Sequence, residues 1–278
     1  MNALLSIIIP CYNAEATLEA TLKSVVTQNF RHWEAIIVND GSTDDTETIA
    51  LNWVKNDDRF KYFTKPNEGL GKTRNFGIEK AQGTYILPLD SDNLVATDFA
   101  QDAIAVFEEN PQIGVVYGHA RYFGEKQGLW EVDAYDFKKI LAANYIDACA
   151  IYRKKCWIEV GGYDENMPYQ GHEDWDFWIA LGVLKVQFYH LNKITFHYYV
   201  SKKSMIRSFN ASMQQANNDY IFKKYSEQCQ QHYLDLFLLY QNAEHQRTAQ
   251  LKSEKFVIDL FCKTFFGFSI FGLYKTKK

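Results

Sequence analysis

Short apolar runs alternate with amphipathic stretches along the first 120 residues of the chain. The runs have strand length, at residues 4–10, 33–38, 60–64, 85–89 and 113–117. The stretches between them place apolar residues at helical spacing, over residues 14–28, 44–54, 71–81 and 97–109. Strands that alternate with helices in this way predict a parallel, doubly wound sheet.

Polar side chains follow three of these predicted strands. Tyr12 and Asn13 come after the first strand, Asn39 and Asp40 come after the second, and Asp90 and Asp92 come directly after the fourth. Ligands of such sheets bind outside the carboxyl ends of the strands. We therefore expect these side chains to converge on one edge of the sheet.

The pattern becomes less regular beyond about residue 124. An acid-rich segment at 171–178 leads into a predicted helix at 173–184, and strand-like runs follow at 186–191 and 194–200. Beyond Arg207 the chain reads as helical and polar on one face. No internal repeat and no low-complexity tract interrupts it.

Composition and charge narrow the class of protein. The 278 residues are 47% apolar and 23% charged, which suits a globular core, and the net charge of −4 argues against broad nucleic-acid binding. Five cysteines without a CxxC pair indicate reduced thiols rather than a disulfide framework or a zinc site. The apolar N-terminus lacks a basic leader and a small-residue cleavage site, so we expect a buried strand there and a cytoplasmic protein.

Asp90 and Asp92 are the first candidates for chemistry. Two carboxylates at positions i and i+2, in a turn after a buried strand, can both reach a hard divalent cation such as Mg²⁺. The alternative is an ordinary Asp-rich turn with local hydrogen bonds. The pair alone does not decide between the two interpretations.

Several further motifs occur in a fixed order along the chain. They are Ser6-Ile7-Ile8-Ile9-Pro10-Cys11-Tyr12-Asn13, Val38-Asn39-Asp40-Gly41-Ser42-Thr43-Asp44, Asn67-Glu68-Gly69-Leu70-Gly71-Lys72-Thr73-Arg74-Asn75, Asp90-Ser91-Asp92 and Glu173-Asp174. Together they resemble the family 2 inverting glycosyltransferases, which use nucleotide-sugar donors, over roughly residues 4 to 205. The resemblance implies an α/β fold: a GT-A type, Rossmann-like, doubly wound and mostly parallel sheet, with a helical C-terminal extension.

The same resemblance assigns roles to the donor side of the site. Pro10, Tyr12 and Asp40 would surround the nucleobase and ribose, with Asn13 beside them. Lys72 and Arg74 would face the uracil or the phosphates of the donor. Asp90 would contact the ribose or a metal-bound water, and Asp92 would bind the divalent cation, Mn²⁺ or Mg²⁺. As structural alternatives, Tyr12 caps the sheet, Asp40 belongs to a turn and Arg74 is a surface charge.

Inverting transfer also needs a carboxylate near the acceptor hydroxyl as general base. The resemblance points to Asp174 as this base, with Glu173 orienting the acceptor or the helix and His172 lining the acceptor site. His197 could reach the metal or the diphosphate, and a structural histidine is its alternative. Acidic residues are also common at helix starts, which is the alternative for the Glu173–Asp174 pair.

These assignments imply a domain organisation and a function. A glycosyltransferase domain would span residues 1–205, with nucleotide-sugar binding over about 1–120 and the acceptor side over about 121–205, and a helical extension would span 206–278. The expected reaction moves a sugar, from a UDP-linked donor by family frequency, to a saccharide or lipid-linked saccharide acceptor in surface polysaccharide or glycolipid assembly.

Two other functions compete with this one. A sugar nucleotidyltransferase would show a Gly-rich, basic loop after the first strand, where this chain has Pro10-Cys11-Tyr12-Asn13. A silent nucleotide-sugar or glycan-binding module would not need the base Asp174 beside Asp92. Both features favour the glycosyltransferase.

The C-terminal segment 255–278 combines seven aromatic residues with flanking lysines. Its uncharged stretch is shorter than the roughly 20 residues of a membrane span. It is typical either of a segment that lies in the headgroup region of a membrane or of a helix that packs on the domain or on a second subunit. We therefore expect either peripheral contact with the inner face of the cell membrane or a homodimer contact here.

Overall fold

The computed structural model describes residues 3–201, 210–266, 268 and 270–271, and the chain divides into two compact units, Met1–Lys224 and Tyr225–Lys278. The strands of the first unit are β1 Leu5–Cys11, β2 Trp33–Asp40, β3 Phe60–Lys65, β4 Tyr85–Pro88, β5 Leu94–Val95, β6 Ile113–Gly124, β7 Gly128–Trp130, β8 Ile151–Arg153 and β9 Gln187–Val200. Its helices are α1 Leu18–Val26, α2 Thr46–Asn56, α3 Leu70–Lys80, α4 Phe99–Glu109, α5 Phe137–Ala142, α6 Lys154–Val160, α7 Glu173–Val183 and α8 Ala211–Lys224.

The strands form one mixed sheet in the order β3-β2-β1-β4-β8-β6-β9-β5, with β7 paired to β6. The pairs β3–β2, β2–β1 and β1–β4 are parallel, as the alternating pattern predicts, and so is β6–β9. The short strand β8 runs antiparallel to both β4 and β6 and joins these two parallel parts. The α/β class and the mostly parallel first half are confirmed.

The core lies around the first strands. Every residue of β1 and β2 is buried, which is typical of parallel strands covered on both faces. Helix α3 approaches this part of the sheet closely, because a Cβ atom at Gly77 would lie 2.6 Å from Cγ2 of Ile8. A residue without a side chain is needed at this contact.

Two predicted elements differ in the structure. The runs at 186–191 and 194–200 form the single strand β9, and Asn192 and Lys193 bulge out where the register on β6 shifts between Gly118 and His119. Helix α1 begins at Leu18 rather than at residue 14, after a turn in which the N–H groups of Thr17 and Leu18 both donate to the carbonyl of Ala14. The N–H group of Ala14 itself donates to Oγ1 of Thr46 (2.8 Å). The pattern also missed the short elements β5, β7, β8, α5 and α6.

The second unit contains the helices α9 Ser226–Gln231, α10 Tyr233–Lys252 and α11 Glu254–Phe266. Tyr233, which is 62% exposed, stacks on Phe237 along α10. Among the described residues, no helix combines the length and the apolarity that a membrane crossing requires. The predicted contact segment 255–278 lies partly outside the described residues, which omit 267, 269 and 272–278. Its role stays a prediction, as does the domain boundary at 205.

Candidate active site

A cleft of about 980 Å³ opens at the carboxyl ends of β1, β2 and β4. Most of the site residues expected from the sequence line it: Pro10, Tyr12, Asp40, Lys72, Arg74, Asp90, Asp92, Glu173 and Asp174. The convergence of three polar clusters on one edge of the sheet is therefore present in the structure. Asn13, His172 and His197 are not among the residues that line the cleft.

Asp40 is the most firmly held of the cleft carboxylates. It ends β2, opposite Lys65 at the end of β3, and the Lys65 ammonium donates to its Oδ1 (2.6 Å). The backbone N–H groups of Glu68 and Gly69 donate to Oδ1 and Oδ2, each at 3.0 Å. With these three donors in place, a carboxylate still has room for about one more, such as a ligand N–H group.

Tyr12 and Asn13 follow β1 but serve different purposes. The Tyr12 ring is 56% exposed at the cleft, where an aromatic face is available to a planar ligand group. Asn13 has a positive φ of 49°, and its Oδ1 accepts from the N–H of Thr43 (2.8 Å), while its own N–H donates to Oγ of Ser42 (2.9 Å). Asn13 thus ties the end of β1 to the turn that precedes α2.

Arg74 interacts electrostatically with Asp90 and with the pair Glu173 and Asp174. Its guanidinium is buried and donates from Nη2 to Oδ1 of Asp90 (2.7 Å). Its Nε group is buried and has no hydrogen-bond partner among the described residues. Lys72, two residues earlier on α3, is 40% exposed, and its ammonium lies 3.8 Å from Oε1 of Glu68. Arg74 therefore neutralises Asp90, and Lys72 is the more accessible cation.

Asp92 differs from its neighbour Asp90. Burial and the negative charge of Asp90 raise the pKa of Asp92 to about 7, and no cationic side chain in the described part of the chain counters this shift. A carboxylate in this state fits a divalent cation, because a cation would supply the positive charge that the protein does not. No cluster of three His, Cys, Asp or Glu side chains arranged for a metal ion occurs in the described ranges, so remaining ligands would come from water and substrate.

Asp174 lies in the first turn of α7, where the helix dipole favours a carboxylate. Burial raises its pKa to about 7, although the positive charge of Arg74 and two hydrogen bonds oppose the shift. The donors are the side-chain amide of Asn144, to Oδ2 at 3.1 Å, and the N–H of Trp175, to Oδ1 at 2.7 Å. A carboxyl with a pKa near 7 suits a general base at neutral pH.

Glu173 precedes this carboxyl and is almost fully buried. Its Oε2 accepts from the N–H of Gly171 (2.8 Å), and burial raises its pKa. This bond fixes the entry into α7, so Glu173 supports the helix start that carries Asp174.

Asp147 is a functional candidate that the sequence analysis missed. It lines the cleft, its Oδ1 accepts from the N–H of Cys149 (2.8 Å), and burial, followed by the charges of Asp90 and Asp174, raises its pKa to about 8. The available signal was an acid inside the apolar run 146–152, directly before β8.

Tyr198 is a second cleft residue that the sequence analysis missed. Burial raises its pKa above the ordinary range, and the negative charges of Asp147, Asp90, Asp92 and Asp174 add to the effect. Tyr198 and these four carboxyl groups all line the cleft.

Neither histidine proposed for the site lines the cleft. The ring nitrogens of His172 lie 2.8 Å from Nδ2 of Asn217 and 3.0 Å from Nε2 of Gln214, so the ring faces α8. His197 is in β9 opposite Leu94 and lines a separate cavity of about 380 Å³ with Asp98 and Asp102. The structure does not bring His197 together with Asp92.

The fold is that of known nucleotide-sugar binding enzymes. The structure of Staphylococcus aureus TarS in complex with UDP-GlcNAc superposes with a TM-score of 0.62 at 22% identity, over 78% of this chain and 64% of that one. A mannosyltransferase from Pyrobaculum calidifontis, in complex with GDP-Man and Mn²⁺, gives 0.57 at 14% identity, over 92% and 82%. The predicted GT-A type fold is confirmed by these likenesses.

The sequence carries the family itself. The pattern of Glycosyl transferase family 2 matches residues 6–163, and the chain belongs to this family. It is also 30% identical to poly-beta-1,6-N-acetyl-D-glucosamine synthase of Staphylococcus epidermidis over 176 residues, which are 59% of this chain and 42% of the synthase. The chain spans less than two thirds of the length of the curated relatives compared with it.

Proposed function

We propose that this chain is a metal-dependent, inverting glycosyltransferase that moves a sugar from a UDP-linked donor to a hydroxyl group of a saccharide or lipid-linked saccharide. The observation that carries the proposal is the presence of Asp92 and Asp174 in one cleft, with Arg74 and Asp90 also lining it. Such a reaction needs a carboxylate that binds the metal and a second carboxylate that acts as general base. Asp92, whose charge no cationic side chain of the described residues balances, suits the first role, and Asp174, with a pKa near 7, suits the second.

The donor lies with its nucleotide at the ends of β1 and β2. Tyr12 stacks on the base, Asp40 accepts from a base N–H group, and the ammonium of Lys72 faces the diphosphate. Asp92, with Asp90 beside it, would hold the divalent cation, Mn²⁺ or Mg²⁺. When bound, the cation supplies positive charge to the departing nucleoside diphosphate.

Asp174 acts on the acceptor. Its carboxylate takes the proton of the acceptor hydroxyl while the oxygen forms a bond to the anomeric carbon of the donor sugar. The bond between that carbon and the diphosphate oxygen breaks on the opposite face, and its electron pair leaves with the nucleoside diphosphate. A single displacement of this kind inverts the anomeric configuration.

The relatives support the class of substrate. One solved structure of the same fold holds UDP-GlcNAc, another holds GDP-Man with Mn²⁺, and a curated relative is named as a synthase of an N-acetylglucosamine polymer. We infer a role in surface polysaccharide or glycolipid assembly, with the enzyme in the cytoplasm or peripheral on the inner face of the membrane.

The proposal is tested by nucleotide release. Wild-type protein is incubated with UDP-GlcNAc, UDP-glucose or GDP-mannose, with Mn²⁺ or Mg²⁺ or with EDTA, in the presence of methyl glycosides as acceptors. We expect cation-dependent release of the diphosphate from a UDP-sugar, and a product whose anomeric proton coupling in NMR shows inversion. Asp92→Asn should lower release at least about a hundredfold, because it removes charge from the cation ligand.

The matched control is Asp98→Asn, since Asp98 lies in the separate cavity and not in the cleft. It should leave release unchanged. Release that is equal in EDTA and in Mn²⁺, or a product that retains the donor configuration, would contradict the metal dependence or the inverting mechanism respectively.

A further inference from the structure

The segment between α6 and α7 forms a large part of the cleft wall. Six residues of this segment line the cleft together with Met213 of α8: Asp164, Glu165, Met167, Pro168, Tyr169 and Gln170. Helix α8 lies beyond the family match at 6–163 and beyond the domain boundary expected at residue 205. It nevertheless belongs to the same compact unit and to the same cleft.

Asn217 of α8 holds the middle of this wall. Its side chain is fully buried, its Oδ1 accepts from the N–H of Tyr169 (2.9 Å), and its Nδ2 donates to the carbonyl of Tyr169 (2.7 Å). Both polar backbone groups of Tyr169 are thus bonded to one side chain on a helix. A buried amide with both groups satisfied fixes its partner in one position.

The two ends of the wall are also anchored. On the α8 side, the Tyr220 hydroxyl (2.9 Å) and the Lys224 ammonium (2.6 Å) both donate to Oδ2 of Asp164. On the α3 side, the N–H of Leu70 donates to Oε1 of Gln170 (3.1 Å). The wall is therefore a preorganised surface, held by side-chain contacts from two helices.

Tyr169 presents its ring on this fixed backbone. The side chain is 41% exposed and lines the cleft a few residues before Asp174. An aromatic face that is already in place binds the apolar face of a ring with little further loss of conformational entropy. Tyr12 lies at the nucleotide end of the cleft, whereas Tyr169 belongs to the segment that leads directly into the helix of the proposed base.

We propose that Tyr169 is the platform on which the sugar ring of the acceptor stacks, and that Asn217 is the positioning residue that holds this platform. The inference rests on the proposed function and narrows its acceptor to a ring saccharide. A helix outside the family match thereby takes part in choosing the acceptor.

The experiment compares acceptors with and without a ring. Transfer is measured from the best donor of the nucleotide-release screen to a panel of methyl glycosides and to glycerol. Tyr169→Ala should lower kcat/KM for the preferred glycoside about tenfold, mainly through a higher acceptor KM, because stacking of an aromatic ring is worth that order of factor. Transfer to glycerol and the donor KM should stay the same, and Tyr169→Phe should restore the glycoside KM.

Asn217→Asp tests the positioning role with almost no change in volume. It keeps an acceptor for the N–H of Tyr169 and removes the amide NH₂ group, which donates to the carbonyl of Tyr169 and lies 2.8 Å from Nδ1 of His172. We expect the acceptor KM for the glycoside to rise about threefold to fivefold at unchanged donor KM. Asn218→Asp is the matched control, since Oδ1 of Asn218 accepts from Gln214 on the same helix, and it should behave as wild type.

The possible outcomes distinguish a failure of the Tyr169 platform or of the Asn217 role from a failure of the proposed function. An unchanged glycoside KM in Tyr169→Ala, an equal loss with glycerol, or a wild type that uses glycerol but no glycoside would overturn the platform. A rise of the donor KM in Asn217→Asp that equals the rise of the acceptor KM would overturn the positioning role. No nucleotide release from any donor by the wild type would instead count against the proposed function.

Discussion

The two walls of the cleft are built by different means. On the proposed nucleotide side, Tyr12, Asp40 and Asp90 lie at the ends of adjacent parallel strands, so the register of the sheet sets their positions. On the proposed acceptor side, Asp147 and Tyr169 lie in segments without regular structure. Asp147 is held by a local bond from the N–H of Cys149, and Tyr169 by two bonds to Asn217, which is 48 positions away. One wall therefore depends on the sheet, and the other on individual contacts of irregular segments.

The walls also differ in how their carboxyl groups are compensated. On the proposed nucleotide side, Asp40 is paired with Lys65 and Asp90 with Arg74, and Asp92 is the exception, because no cationic side chain among the residues that the structure describes counters its raised pKa. The hydrogen bonds of Asp147 and Asp174 come from the neutral donors Cys149 N–H, Asn144 and Trp175 N–H. Burial raises the pKa of Asp147 to about 8 and that of Asp174 to about 7, although the positive charge of Arg74 opposes both shifts.

The largest expected effect separates Asp174 from Asp147. Asp174→Asn should lower transfer about a thousandfold, because loss of a general base costs two to four orders of magnitude. Asp147→Asn, with the same change on the same wall, should lower it no more than about tenfold, since Asp147 is not the proposed base. The measurement is kcat/KM with the donor at saturation, together with the Kd of UDP by calorimetry, which both variants should leave unchanged.

Equal losses in the two variants would contradict the assignment of the base. A weaker Kd for UDP in Asp174→Asn would contradict the separation of the two walls.

The second effect concerns the compensated wall. Lys65→Met should lower the free energy of unfolding by about 3 kcal/mol, because both partners of its ion pair with Asp40 are less than a tenth exposed and Asp40 would stay buried as an unpaired charge. Lys72→Met is the control, since its pair with Glu68 is long and exposed, and it should cost less than about 1 kcal/mol. Urea unfolding measures both, and similar losses would show that Asp40 does not depend on Lys65.

The contrast between the walls explains what the sequence could predict. The strands that end at Tyr12, Asp40 and Asp90 are continuous apolar runs, and parallel strands bring their carboxyl ends together, so local pattern was sufficient. The family resemblance pointed to Asp174, which the structure places in the same cleft.

The acceptor wall carries no such pattern. The bond between Asn217 and Tyr169 joins residues 48 positions apart and leaves no periodic signal. For the same reason, the direction of His172 toward α8 and the placement of Asp147 in the cleft could not be derived from local spacing. Asp147 and Tyr198, which the sequence analysis missed, line the cleft because of how the chain folds around it, and neither stands in a motif that marks it.

The third prediction concerns the pH dependence of kcat/KM, which should follow the ionisation of Asp174. A base must be ionised to accept a proton, so kcat/KM should be constant above pH 7 and fall about tenfold for each pH unit below it, given the pKa of about 7 for Asp174. Saturating Mn²⁺ keeps Asp92 ionised and removes its titration from the profile. Residual activity of Asp174→Asn should lack this limb, and a limb that persists in the variant would assign it to another group.

The smallest effect tests how firmly the sheet positions the nucleotide wall. Gly77→Ala adds a Cβ atom 2.6 Å from Cγ2 of Ile8 and 3.1 Å from Cγ2 of Val38, both on fully buried strands. Overpacking of about 1–3 kcal/mol should exceed the gain of about 1 kcal/mol in helix propensity, and the free energy of unfolding should fall by about 1 kcal/mol. Glu79→Ala, exposed on the same helix, should change it by less than about 0.5 kcal/mol. Because α3 carries Lys72 and Arg74, an outward shift of this helix should also weaken UDP binding in Gly77→Ala. Unchanged stability and unchanged UDP binding would show that the position of α3 does not depend on this close approach to the sheet.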